Sequence, residues 1–322
     1  MKEMEIGGQK IPGKGHSIID MQHAITGTAY KKVRTAKIIY EMLQTTLIKN
    51  YLDDLTISFP DGMTPVLHPD FKPLEPPASP SFKRSPALGS TVVTAAPGQA
   101  QPLPVQDGKD QAMIVDKSLI SFVAGLSAEN RADILESTLL AQLGANSKVP
   151  DQKDVIGWYK AYIEILTKVG WTMEGGEVQQ FSAKANVVEL QTVIIDILKA
   201  AFGADFLQIV TRALDGIKTL ADSNGKIEAF EKNTHSESNG SFQIGVATQE
   251  GDAVSMNLGT FLITSTSRIS HILFIKFTKD ETDLQYASGK LTLDQKIYEN
   301  VRNLVQNKLS GRAVEFVTEI PV

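Results

Sequence analysis

The chain contains no cysteine. Disulfides, thiolate nucleophiles and Cys-ligated zinc are excluded together. The absence fixes no compartment, since cytosolic chains lack Cys and so do chains exported without oxidative folding. Long hydrophobic runs are also missing: no apolar stretch approaches the roughly 20 residues needed to span a bilayer. Met1 to Lys14 is polar and glycine-rich with no apolar run behind a basic start, so no secretory signal peptide is expected. The expected location is therefore the cytoplasm, or the exterior by a non-classical route. Basic charge is short as well. Lys and Arg total 32 against 37 Asp and Glu, giving a net charge of −5 and a pI near 5.6. Phosphate neutralisation needs a basic field, so no nucleic-acid partner is expected.

Proline is scarce over most of the chain and dense in one place. Eleven of its 14 copies fall between Pro60 and Pro104, and none lies between Pro150 and Pro321. Proline fixes φ and removes a backbone donor, so residues 60–112 read as an extended linker rather than as sheet or helix. The expected organisation is a helical segment over 1–59, this linker, and an α+β domain over 113–322.

Hydrophobic content is 42% and charged content 21%, which permits a sizeable core. Before the linker, Ile25, Ala29, Val33, Ala36, Tyr40, Leu43, Leu47 and Tyr51 recur every three or four residues. That spacing predicts one long amphipathic helix, about His16 to Leu52, with Lys31, Lys32, Arg34 and Lys37 crowded along one stretch. Its apolar face needs a cover, because helices gain most of their stability from packing.

After the linker, Ser127 caps a helix expected to end at Gly144, and Asp151 caps the next, stopped by Gly170. A strand-like piece from Trp171 to Lys184 leads into a helical hairpin, Val187 to Phe202 and Phe206 to Leu220. The first arm is apolar almost all round and the second along one face. Alternation then takes over. Phe242 to Val246, Val254 to Thr264, Ile269 to Thr278 and Leu284 to Lys290 read as an antiparallel meander. A helix, Leu293 to Leu309, and a last strand, Ala313 to Ile320, complete the pattern. Helices grouped first and strands later favour α+β, an antiparallel β-meander flanked by helices.

Motifs that would carry chemistry fail on particular residues. Gly8 to Lys14 has the spacing of a phosphate loop, but Gly15 stands where the hydroxyl belongs and Pro12 removes a donor. Asp222 to Ile227, with Glu231, follows part of a calcium-loop spacing, but the first ligand position falls on Leu220, which has no oxygen. His16 and His23 lack a third nearby ligand, and His271 sits on the buried parity of its expected strand. There is no Gly-x-Ser-x-Gly elbow. No catalytic, cofactor-binding or metal-binding residue is assigned, and no cofactor is expected.

The pattern Trp158-Tyr159-Lys160, Gly170-Trp171, Gly240-Ser241-Phe242-Gln243-Ile244, Leu258-Gly259 and Gly311-Arg312-Ala313 resembles that of uncharacterised bacterial α+β proteins. Through them Asp151–Val322 is similar to the Erwinia virulence factor family, whose lipid-bearing cysteine has no counterpart here. The resemblance implies an α+β fold and a virulence role.

These readings lead to a non-enzymatic bacterial interaction protein, a virulence or toxin-like factor acting at a host surface or membrane. The stripe from Ile25 to Tyr51 and its four basic residues would dock to a protein partner or an anionic membrane surface. The alternative is a structural or assembly protein in which the same helix makes subunit contacts in a homo-oligomer. A flexible linker of this length has an end separation of roughly 40 Å, which serves either reading.

Overall fold

The structure is a computed structural model. It describes residues 5–6, 9–10, 41–58, 103–151, 153–182, 187–204, 206–220, 230, 232–235, 238–269, 272–274, 276–278 and 282–322. Most of the Pro-rich linker, the first part of the long helix, the calcium-like loop, His16, His23, His68 and His271 lie outside these residues. The chain forms two compact units, Met1–Asp53 and Asp54–Val322. In the first, β1 (Glu5–Ile6) pairs with β2 (Gln9–Lys10), and helix α1, residues 41–54, supplies its end, all but its last residue falling in this unit.

The second unit begins its regular structure with a hairpin. Strands β3 (Gln111–Val115) and β4 (Ser118–Phe122) are buried along their whole length. Their apolar runs sit beside the prolines and carry no Asn-Gly turn signature, which hid them in the sequence. Helix α2 (Ala128–Lys148) follows, with Ser127 as its N-cap accepting from the Asn130 N–H, and it continues one turn past Gly144. Helix α3 (Val155–Lys168) is capped by Asp154 rather than Asp151; Asp151 instead accepts from the Lys153 N–H. The expected strand to Lys184 resolves into β5 (Trp171–Gly175) and β6 (Gln179–Gln180). Strand β7 (Val187–Glu189) then leads into α4 (Leu190–Phe202) and α5 (Leu207–Leu220).

The alternating third of the chain gives β8 (Asn239–Glu250) and β9 (Ala253–Ser265). The stretch expected as a strand from Ile269 to Thr278 is not one. A 3₁₀ turn at Ile272–Phe274 precedes a short β10 (Lys276–Thr278), which pairs with β7 outside the main sheet. Four consecutive apolar residues fit a buried turn as well as a strand, and Ile272 and Leu273 are indeed core residues. Strand β11 (Thr282–Leu293), helix α6 (Gln295–Lys308) and β12 (Val317–Ile320) finish the fold.

Eight strands join in one sheet of order β12-β3-β4-β8-β9-β11-β5, with β6 on β11. All pairs are antiparallel except β4 with β8. Alternation sorts the side chains by face. Phe242, Ile244, Val246, Phe261, Ile263 and Leu284 join α4 and α5 in one apolar cluster. The opposite parity meets α2, through Arg131 to Gln111 and Gln142 to Val115. Helix α2 packs against α3, where an added Cβ at Gly144 would meet Ile165 Cδ1 at 2.7 Å, and against α6.

The α2–α6 seam is polar. Arg302 donates from Nε and Nη2 to the two oxygens of Asp133, at 2.7 and 2.8 Å. Gln306 Nε2 donates to Glu136 at 3.0 and 3.3 Å. Burial raises the Glu136 carboxyl from 4.5 to about 7, partly opposed by Gln306. The folded state therefore holds that proton more tightly than the unfolded chain. Stability falls as pH rises from about 4.5 to about 7 and levels off above. The loss is on the order of 2–3 kcal/mol. Glu136→Gln is expected to flatten that slope and to raise the melting temperature at pH 8 by roughly 5 °C. Parallel melts from pH 5 to 8 check it, and an unchanged slope in the variant removes Glu136 as its source.

Candidate functional site

The two-residue turn between β3 and β4 borders a polar cleft of the second unit. Asp116 occupies the left-handed region, φ 47°, which short polar side chains tolerate. Its N–H donates to the Phe316 carbonyl at 3.3 Å. The Lys117 N–H donates to Gln142 Oε1 at 2.8 Å, and the Lys117 carbonyl accepts from the Gln243 N–H at 3.0 Å. The turn is thus held from α2 on one side and from β8 on the other.

Its two side chains carry opposite charges that are not joined. The Asp116 side chain is buried, its residue 4% exposed, and Oδ1 accepts from Asn233 Nδ2 at 2.7 Å. Oδ2 is buried without a hydrogen-bond partner. The Lys117 ammonium lies 4.8 Å from the centre of the Trp158 ring and makes no hydrogen bond among the described residues. Trp158 is fixed in turn: its Nε1 donates to Asn146 Oδ1 at 2.7 Å, and its ring stacks on Tyr162 at 5.4 Å. Burial pushes the Asp116 carboxyl up, against the pull of Lys117 and Asn233. Burial likewise lowers the Lys117 ammonium, against the pull of Asp116.

These residues border a cleft of about 390 Å³, with Asp151, Lys232, Asn239 and Ser241 around them. Among the described residues no group of three or more His, Asp or Glu is placed to hold a metal ion. The cleft can bind a polar molecule of mixed charge. Neither Asp116 nor Lys117 was apparent from the sequence. The signal that could have found them is the pair Asp-Lys set between the runs Ala112–Val115 and Leu119–Phe122, a two-residue hairpin loop.

The second surface is the α4–α5 cover. Leu190, Val193, Ile194, Ile197 and Leu198 of α4 are buried in the cluster, as are Ile209, Val210, Ala213, Leu214 and Ile217 of α5. Among the described residues no α4 side chain makes a hydrogen bond or ion pair. Gly259 of β9 lets α4 close down, since a Cβ there would sit 2.6 Å from Leu198 Cδ2.

Of the residues expected to dock to a partner or membrane, three are described. Leu43 and Leu47 are exposed, at 58% and 62%, and Tyr51 is half-buried. Met42 is exposed beside them, while Ile48 and Leu52 are buried. Ile25, Ala29, Lys31, Lys32, Val33, Arg34, Ala36, Lys37 and Tyr40 lie outside the described residues. No helix among the described residues is long and apolar enough to cross a membrane.

No protein-family model matches the chain, and no curated protein matches it in sequence. A comparison with solved structures finds distant matches. A delta-endotoxin is 12% identical with a TM-score of 0.33, over 67% of this chain and 91% of that one. The activated Cyt2Ba monomer from Bacillus thuringiensis subsp. israelensis is 13% identical with a TM-score of 0.27, over 48% of this chain and 92% of its own. The Evf virulence factor is 13% identical with a TM-score of 0.30, over 65% of this chain and 83% of its own. The likeness to these toxin and virulence proteins is distant and assigns the chain to no family.

Proposed function

We propose that this protein is a non-enzymatic, toxin-like bacterial factor that acts at a host membrane. The observation that carries the reading is the contrast between its two helical covers. The α2–α6 side is joined by a carboxylate–guanidinium fork and buried amides. The α4 helix, in contrast, adheres through apolar contact alone among the described residues. Apolar contacts can be exchanged for lipid without breaking a buried hydrogen bond, whereas the polar seam cannot. The sheet face beneath α4 and α5 is long enough for the exchange. Strands β8, β9 and β11 have 12, 13 and 12 residues. At the usual rise they extend about 40 Å, against about 30 Å of hydrocarbon. The amphipathic N-terminal segment, with Met42, Leu43 and Leu47 exposed, would supply first contact with an anionic surface or a protein partner.

Dye release from anionic liposomes tests the reading. The full chain is expected to bind and empty them. Gly259→Val, which crowds Leu198 and loosens α4, is expected to speed release about tenfold for an overpacking cost near 1–2 kcal/mol. Protein that neither binds nor leaks the liposomes removes the proposal.

A further inference from the structure

We infer that the cleft at the β3–β4 turn is a binding site for a small zwitterion carrying a primary ammonium and a phosphate, the chemistry of phosphoethanolamine. The inference does not depend on membrane lysis and stands on the unjoined charges of Asp116 and Lys117. Two oppositely charged neighbours in one cleft would ordinarily pair. Here each is fixed by something else, Asp116 by Asn233 and Lys117 by the face of Trp158. One buried acceptor, Asp116 Oδ2, and one ammonium with its donors unused therefore border the same 390 Å³ cleft. Buried groups left without hydrogen bonds are costly and uncommon in folded proteins, and they gather at binding sites.

The charges select the ligand. A bare anion would satisfy Lys117 while facing Asp116, and a bare cation would do the reverse. A molecule with both signs satisfies each; a phosphodiester headgroup adds no net charge, and the free monoester adds about −0.5 to −1 at neutral pH. Its cation must carry N–H, because Oδ2 needs a donor and because Lys117 already covers the Trp158 ring that a quaternary ammonium would use. Two cations, Lys117 and Lys232, border the cleft beside two carboxylates, Asp116 and Asp151, and the several oxygens of a phosphate can serve both cations where a carboxylate has only two. Ser241 and Asn146 border the same space and carry donors for the ester oxygens.

Calorimetric titration of the full chain with O-phosphoethanolamine tests this. Saturable binding with a Kd of about 1 mM or tighter is expected, at least about tenfold tighter than for phosphocholine or inorganic phosphate. Asp116→Asn keeps the left-handed turn, since Asn tolerates it, and removes the charged acceptor; Lys117→Met keeps the stem over Trp158 and removes the ammonium. Each is expected to weaken binding at least about tenfold with an unchanged melting temperature. Should Asp116→Asn fail to fold, Lys117→Met decides alone. No saturation by about 10 mM, equal affinity for phosphocholine, or wild-type affinity in a folded variant overturns the inference. Sedimentation with phosphatidylcholine vesicles, with and without phosphatidylethanolamine, identifies the source. Preferential pelleting with the ethanolamine lipid assigns a headgroup, and binding of the soluble compound alone assigns a free metabolite; both outcomes uphold the site. Liposomes free of ethanolamine lipid keep this result separate from the dye-release experiment.

Discussion

Replacing Arg131 by methionine is expected to destabilise the second unit by about 4 kcal/mol, lowering its melting temperature by roughly 10 °C. Arg131 is fully buried and makes no ion pair among the described residues, although Asp107 and Asp110 are near enough to favour its charge. Its Nε donates to the Leu126 carbonyl at 3.0 Å, Nη1 to Gln111 Oε1 at 3.0 Å, and Nη2 to the Lys109 and Val123 carbonyls at 2.7 and 3.1 Å. The guanidinium also lies 5.5 Å from the centre of the Phe122 ring. One side chain thereby ties α2 to both strands of the β3–β4 hairpin at its open end, as Gln142 does at the turn. Methionine fills much of the volume but strips the Leu126 and Lys109 carbonyls and Gln111 Oε1 of the guanidinium, while the Val123 carbonyl keeps the Leu126 N–H, and each buried group left unpaired costs about 1–3 kcal/mol. Arg131→Lys is expected to recover less than half of the loss, because a single ammonium cannot reach acceptors spread around a planar fork. Thermal and urea unfolding of both variants measure the effect. A lysine variant as stable as the parent would mean that charge, rather than the four-way geometry, is what the site needs.

The same residue shows where the sequence stops being legible. Elements that declare themselves by period were readable: α5 from its single apolar face, and β8, β9 and β11 from alternation with Gly and Asp between them; α4 was readable as a helix, but it buries one side and exposes Thr192, Asp196 and Lys199 rather than being apolar all round. Helix α2 was readable as a helix but not as the centre of its layer. Arg131, Asp133, Glu136, Ser137 and Gln142 look like a solvated face, yet all five are buried. Their partners lie on other elements: Gln306 is 170 residues from Glu136 and Trp171 is 34 from Ser137, while the acceptors of Arg131 are 5 to 22 residues away on the hairpin and its flanks. Local pattern cannot report such pairings. The Asp116–Lys117 cleft was hidden for a related reason. Its walls come from the β3–β4 turn, the end of α2, the start of α3 and the start of β8, which only the parallel β4–β8 pairing brings together. The N-terminal stripe is the opposite case, plain in the sequence but largely beyond the described residues.

Arg302→Met is expected to have a comparable effect, with a pH dependence that identifies its cause. Asp133 is 2% exposed, and its carboxyl is pushed up by burial and held down by the Arg302 fork. Without the fork, the folded state keeps a buried carboxylate whose only remedy is a proton. Loss of one partner of such a pair costs about 3–5 kcal/mol. The sign follows from proton linkage. In the variant the folded-state value for Asp133 lies further above that of the unfolded chain, so the folded state binds more protons between the two. Stability then falls as pH rises through that window. The deficit against the parent protein should be smallest near pH 5 and largest near pH 8. Asp133→Asn combined with Arg302→Met removes both charges and should recover at least about 2 kcal/mol of the single-variant loss, since no buried ion is left unpaired. Glu129, which also meets Arg302 Nη1 at 2.5 Å, is 66% exposed and should contribute little to this coupling. A deficit independent of pH, or a double variant no better than Arg302→Met, would show that the α2–α6 seam depends on the packing of the Arg302 stem instead of on its charge.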